Sequence, residues 1–202
     1  MATPRVTELA HSASVARRFR TLAGLPWRMW LDSAAADDHE RFDILVADPY
    51  VTLRTRGAVT EVATRGEPAR ESQRPPFELV REQLGDVGAA SPGLPFSGGA
   101  VGYFGYDLGR RFERIPAIAA ADIAMPDLAI GLYDWAVVVD HAAQRTWLVG
   151  NGRDARTFAE WPRLVARLSA EPPPAPAPFR VRTRPVSNLD HGAYAAAFRA
   201  VQ

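Results

Sequence analysis

The sequence predicts an α+β fold with a mostly antiparallel sheet. Strand-like segments follow one another with only a turn between them, as in Val51–Thr55 and Val59–Thr64 on either side of Gly57. The apolar segment Ala129–Asp140 and its return, Arg145–Asn151, have the pattern of a β-hairpin. Because strands and helices do not alternate strictly, the pattern favours this class over a doubly wound parallel sheet.

Two more strands and a loop complete the predicted sheet region. Trp27–Ser33 is apolar and aromatic enough for a buried strand, and Phe42–Pro49 closes on an Asp-Pro pair. Residues Arg65–Pro75 are polar and predict a loop. The glycine-rich segment beyond this loop is treated separately below.

Apolar residues at helical spacing predict four helices. The first covers Ser12–Ala23 and the second, opened by proline, covers Pro76–Leu84. The third covers Ala155–Leu168, where Pro162 either kinks the helix or marks its true start. The fourth begins after Asp190, which we expect to cap it.

The chain divides into three predicted parts. Residues 1–170 form one domain, and the proline-rich residues 171–186 form an extended linker. Residues 187–202 form the first helix of a second domain. Its apolar face, Tyr194, Phe198 and Val201, reaches Gln202 without a stop signal, so we expect this domain to be truncated here.

Composition excludes several kinds of chemistry. The 202 residues contain 24 basic side chains, all arginine, and no cysteine. This chain therefore offers no lysine nucleophile, P-loop lysine, thiolate or disulfide, and the lack of cysteine fits a cytoplasmic protein. The net charge of +1 gives no reason to expect nucleic acid or a membrane surface as a partner.

A glycine cluster at residues 98–109 has the wrong spacing for either common phosphate-binding motif. We therefore expect glycines such as Gly102 to serve close backbone packing. Asp107 and Arg110 have the spacing of a surface ion pair on a short helix that Asp107 could also cap. The consecutive run Asp37–Glu40 predicts a solvated loop, and the four scattered histidines do not predict zinc.

Four ordered segments resemble the chorismate-utilising family that includes anthranilate synthase component I and aminodeoxychorismate synthase component I. They are LPWRMWLDS (25–33), RFDILVADP (41–49), PFSGGAVGYFGYDLGRRFE (95–113) and MPDLAIGLYDWAVVVDH (125–141). The forms WLDS, YDLGRRFE and LYDW are more similar to the aminodeoxychorismate branch. An anthranilate synthase amino-terminal domain, and a complete free-standing amino-acid-binding regulatory lobe, are the alternatives.

The resemblance implies a fold and a binding site. The fold has antiparallel, orthogonally packed sheets with helices outside. The site is a tryptophan pocket, whose matching positions here are Ser33, His39, Glu40, Arg41 and Phe42. Ser33 would bond the ammonium or the carboxylate of the ligand, while Phe42 and the stem of Arg41 would line the indole slot.

The resemblance also implies that no catalytic residue lies in this chain. The Mg²⁺ ligands, the general acid/base and the reactive lysine of the family belong to the other half. A glutamine amidotransferase subunit would supply ammonia, and the whole enzyme would convert chorismate to 4-amino-4-deoxychorismate for 4-aminobenzoate and folate synthesis.

Overall fold

The computed structural model describes residues 3–12, 14–33, 41–86, 93–118 and 123–201. These residues form two five-stranded antiparallel sheets with helices, which confirms the predicted α+β class. In spatial order the first sheet contains β1 (Arg5–Leu9), β10 (Arg145–Gly150), β9 (Trp135–Asp140), β3 (Phe42–Val46) and β2 (Met29–Leu31). The second contains β6 (Arg70–Ser72), β5 (Val59–Thr64), β4 (Val51–Arg56), β8 (Leu128–Tyr133) and β7 (Gly99–Phe104).

The helices are α1 (Val15–Arg20), α2 (Pro76–Leu84), α3 (Ala155–Ala159), α4 (Trp161–Ser169) and α5 (His191–Val201), with a 3₁₀ helix at Tyr106–Arg111. The third predicted helix is therefore two helices. Pro162 lies in the first turn of α4, where a missing N–H costs nothing, so the interpretation of this proline as a helix start is confirmed.

The prediction of a single strand over residues 129–140 is wrong. It is two strands, β8 and β9, which belong to different sheets and meet at Asp134. The carboxylate of Asp134 accepts the backbone N–H groups of Arg153, at 2.9 Å, and Asp154, at 3.0 Å. The backbone carbonyl of Asp134 accepts the N–H of Asn151 at 3.0 Å, so the chain is fixed where it passes between the sheets.

Three apolar clusters form the core. One packs the first sheet against α1 and α4 through residues such as Leu45, Val137 and Leu168. A second packs α2 and the 3₁₀ helix on the second sheet. The third joins the two sheets around Tyr133, whose hydroxyl donates to the carbonyl of Trp27 at 2.7 Å.

Three local expectations have different outcomes. The loop expected over 65–75 contains the short edge strand β6, and β1 was not anticipated because its residues are mostly exposed and polar. Asp107 does not cap the 3₁₀ helix, since Gly105 occupies the cap position. Asp190 does cap α5, accepting the N–H of Ala193 at 2.8 Å.

The glycine-rich strand β7 is packed as predicted. A Cβ atom built on Gly102 would lie 2.0 Å from the carbonyl oxygen of Ala129 and 2.9 Å from the Cα of Ile130, on the neighbouring strand β8. Both contacts are with backbone atoms, which cannot move aside as a side chain can. The glycine is therefore required by the close approach of two strands.

Candidate functional site

Antiparallel pairing brings three strand ends together in the first sheet. Strand β3 pairs with β2 on one side, where Leu31 faces Ile44, and with β9 on the other, where Phe42 faces Asp140. The start of β3 therefore lies between the ends of β2 and β9. The side chains at this junction, here called the strand-end cluster, are Ser33, Arg41, Phe42, Asp43, Asp140 and His141.

Asp43 is the centre of one half of the strand-end cluster. Asp43 is buried, with 2% of the residue exposed, and its carboxylate accepts the backbone N–H of Ser33 at 2.8 Å and the Ser33 hydroxyl at 2.9 Å. His141 Nε2 lies 3.2 Å from the other carboxylate oxygen. Burial raises the pKa of Asp43, but the hydrogen bonds from Ser33 and His141 outweigh burial and lower it, so the group is ionised at neutral pH.

Arg41 and Asp140 form the other half. Arg41 Nε lies 2.9 Å from both carboxylate oxygens of Asp140, and Nη2 lies 2.5 Å from Oδ2. Asp140 is 1% exposed and also accepts the N–H of Ala143, at 2.9 Å. The hydrogen bonds from Arg41 hold the pKa of Asp140 below its ordinary value. The guanidinium of Arg41 lies over the ring of Phe42, 4.7 Å from its centroid.

The two halves lie on opposite faces of the sheet. Asp43 pairs with Val139, a residue of the apolar cluster under α1 and α4, whereas Phe42 pairs with Asp140 on the other face. Among the residues that we predicted for tryptophan, the structure therefore brings Arg41 and Phe42 together, and it ties Ser33 to Asp43. His39 and Glu40 lie outside the described residues. The tryptophan role of this set stays a prediction.

Sequence reasoning missed Asp43, Asp140 and His141. A signal for them was present, because each aspartate interrupts an otherwise apolar strand, in FDILV and in WAVVVD. A carboxylate at a buried position needs hydrogen-bond donors, and the donors here come from segments about 10 and 99 residues away in the chain.

The strand-end cluster does not have the geometry of a catalytic triad. In a triad a histidine lies between the serine and the aspartate and removes the proton of the serine. Here the aspartate lies between Ser33 and His141, and an ionised carboxylate that accepts the hydroxyl proton only orients it. The arrangement suits recognition of a polar ligand group rather than nucleophilic attack.

A second polar region surrounds a recess of about 520 Å³ beside the 3₁₀ helix, lined by Gly57, Ala58, Gln73, Asp107, Arg110, Arg111 and Asp127. Arg110 Nε donates to Asp107 at 2.9 Å, which confirms the predicted ion pair. Arg111 donates to the carbonyls of Gln73, at 2.9 Å, and Gly57, at 3.2 Å. Both arginines therefore brace neighbouring loops.

In the described part of the chain, no group of three or more His, Asp or Glu side chains is placed to hold a metal ion. Of the helices described, none has both the length and the apolar character needed to cross a bilayer.

Comparisons with known proteins agree with the resemblance seen in the four segments. The chain is 43% identical over 188 residues to aminodeoxychorismate synthase component 1 of Salmonella typhimurium, an alignment that covers 91% of this chain and 40% of the relative. It is 34% identical over 113 residues to anthranilate synthase component 1 of Acetivibrio thermocellus, covering 55% of this chain and 23% of the relative. The chain thus spans well under half the length of these relatives.

The fold has a counterpart among solved structures. Anthranilate synthase component I from Streptococcus pneumoniae superposes with a TM-score of 0.56 at 22% identity, covering 70% of this chain and 32% of that one. This likeness supports the arrangement of sheets and helices described above. The sequence profile described as chorismate binding enzyme matches residues 28–202, and the chain therefore belongs to the chorismate binding enzyme family.

Proposed function

We propose that this chain is the amino-terminal part of an aminodeoxychorismate synthase component I. Together with a glutamine amidotransferase, the whole enzyme would replace the C4 hydroxyl of chorismate by an amino group, giving 4-amino-4-deoxychorismate for 4-aminobenzoate and folate synthesis. The observation that carries this proposal is the 43% identity over 188 residues to an aminodeoxychorismate synthase, against 34% over 113 residues to an anthranilate synthase.

The chemistry would belong to residues outside this chain. The strand-end cluster contains no group suited to expel a hydroxyl or transfer an amine, and the chain has no lysine to form a substrate adduct. The Mg²⁺ implied by the family does not fit the described residues either, because no cluster of three acidic or histidine side chains is found among them.

The test uses the natural gene product that contains this chain, mixed with chorismate and an ammonium salt. We expect 4-amino-4-deoxychorismate, identified by mass spectrometry and by its conversion to 4-aminobenzoate with the appropriate lyase. Anthranilate as the product would instead support the runner-up, an anthranilate synthase. The 202-residue chain alone serves as the matched control and should form neither product.

The partner proposed is the glutamine amidotransferase. The name "component 1" of the relatives implies a second component in their complexes, and the proposal extends this to the present protein. Size-exclusion chromatography of the gene product with and without the amidotransferase is the test. Glutamine-dependent activity that requires both chains supports the proposal, and separate elution without glutamine-dependent activity opposes it.

The role proposed for the strand-end cluster is to hold L-tryptophan. Support comes from the family resemblance at Ser33, His39, Glu40, Arg41 and Phe42, and from the Arg41–Asp140 ion pair, whose guanidinium lies over the ring of Phe42. Calorimetric titration of the natural gene product with L-tryptophan tests it, with L-histidine as a control amino acid that lacks the indole. If L-tryptophan gives no heat of binding, the strand-end cluster has a purely structural role.

A further inference from the structure

The ends of α1 and α4 are locked to each other. Arg18 is buried and donates to the backbone carbonyl of Leu168, in the last turn of α4. Arg167, from the same turn, donates through Nη1 to the carbonyls of Thr21, at 3.2 Å, and Ala23, at 3.1 Å, just after α1. The chain therefore leaves α4 from a point that is fixed relative to α1.

The residues that follow α4 are stiff for a local reason. In the segment 171–178, here called the proline segment, every residue is a proline or precedes one, and the structure has neither helix nor strand there. The proline ring fixes φ, and its Cδ disfavours the helical region for the residue before it, so the whole segment is extended. A chain of this kind rises about 3.1 Å per residue, which gives the proline segment a length of about 25 Å. A direction set at its base is therefore kept toward its far end.

Two side chains of α1 hold the base of the proline segment. Arg17 forms an ion pair with the carboxylate of Glu171, and Arg20 Nε donates to the backbone carbonyl of Pro173 at 3.1 Å. Arg17 and Arg20 are three residues apart, so they project from one face of α1. Because the proline segment is stiff, contacts at two of its residues fix its direction as well as its position.

We propose that Arg17 and Arg20 make the proline segment a strut, which sets the direction and the distance at which the chain beyond residue 178 stands from the first domain. The predicted second domain, residues 187–202, begins beyond this strut. A flexible tether would leave that domain free to reorient, whereas an anchored strut restricts it.

The strut depends on both contacts together. An exposed ion pair shifts an equilibrium by no more than about five-fold, and the side chains of Arg17 and Glu171 are 50% and 78% exposed. The hydrogen bond from Arg20 to Pro173 is also exposed. The anchoring is therefore adjustable by single substitutions at the surface of α1.

The test measures a distance by pulsed electron paramagnetic resonance on the 202-residue chain. The chain has no cysteine, so Ala166→Cys on the exposed face of α4 and Ala177→Cys in the proline segment provide the two positions for spin labels. We expect one narrow distance distribution for this labelled protein. Removing both contacts, with Arg17→Ala and Arg20→Ala, should broaden the distribution roughly two-fold or more, because only the covalent link to α4 then directs the segment.

Two controls separate anchoring from general damage. Arg163→Ala removes an exposed arginine of α4 that makes no contact with the proline segment in the described part of the chain, and it should leave the distribution unchanged. Exchanging the charges, with Arg17→Glu and Glu171→Arg, should restore the narrow distribution that Arg17→Glu alone loses. None of these positions belongs to the apolar core, so the melting temperature should stay the same.

Three results would overturn the strut. They are a broad distribution in the labelled chain without further substitution, an unchanged distribution in the Arg17→Ala/Arg20→Ala variant, and equal broadening by Arg163→Ala. If the Arg17→Ala/Arg20→Ala variant also lowers the melting temperature, the charge exchange decides. A restored narrow distribution then supports anchoring by Arg17 and Glu171, and a broad one overturns it.

Discussion

Replacing Gly102 tests the packing of β7 directly. A methyl group at this position would overlap the backbone of β8, since the added Cβ would lie 2.0 Å from the carbonyl oxygen of Ala129. Relief requires the two strands to separate, which weakens the ladder that pairs Gly102 with Ile130. Overpacking costs typically about 1–3 kcal/mol, and a clash between two backbones belongs at the upper end of that range.

The measurement is the melting temperature of Gly102→Ala and Gly102→Val, followed by circular dichroism. For a domain of this size, a loss of about 3 kcal/mol lowers the melting temperature by roughly 6–12 °C. Gly109→Ala is the matched control within the same glycine cluster. The Cβ of that variant would meet only the flexible end of Ile115, at 3.1 Å, so we expect a much smaller change.

Two outcomes would refute the close packing of β7 against β8. Equal melting temperatures for Gly102→Ala and the wild type would show that β7 does not approach β8 as closely as the structure places it. Equal losses for Gly102→Ala and Gly109→Ala would show that the cost comes from glycine replacement in general and not from the contact with Ala129.

Three other predictions concern acid stability, catalysis and the last helix. Asp43 and Asp140 have pKa values below their ordinary value, so the stability they contribute is present above about pH 4 and is lost as the pH falls through their folded pKa values. The free energy of unfolding in urea should therefore differ less between pH 7 and pH 3 for Asp140→Asn than for the wild type. An equal difference would contradict the lowered pKa of Asp140. The 202-residue chain should make no 4-amino-4-deoxychorismate from chorismate and ammonia, and chorismate-dependent product above a buffer control would refute this. Helix α5 leaves Tyr194 and Phe198 more than half exposed, so its backbone amides should exchange rapidly with solvent in the monomeric chain. Slow exchange along the whole helix would count against the expectation that α5 belongs to a truncated domain.

Much of the fold follows from local pattern. The hairpin of β9 and β10, the β4–β5 pair and helix α2 were predicted because alternation, turn residues and helical spacing act over a few residues. The division of residues 129–140 into two strands was not predictable in this way. Leu128–Tyr133 and Trp135–Asp140 are both apolar, and only the long-range contacts of Asp134 show that the chain changes sheets there.

The candidate site was predictable only in part. The family resemblance selected Ser33, His39, Glu40, Arg41 and Phe42, of which the structure describes Ser33, Arg41 and Phe42 and places them at one junction of strand ends. It did not select Asp43 or Asp140, because the partners of these residues are defined by strand register and not by spacing in the sequence.

The buried carboxylates explain why the three strand ends are held together. Isolating an ionised carboxylate from water costs several kcal/mol unless donors replace the water, so a folded state that buries Asp43 and Asp140 must also place their donors. Those donors lie on or beside all three strand ends, with Ser33 after β2, Arg41 before β3 and His141 after β9. Any movement of one strand end relative to the others would leave a buried charge without a partner. The network therefore opposes separation of the three strand ends.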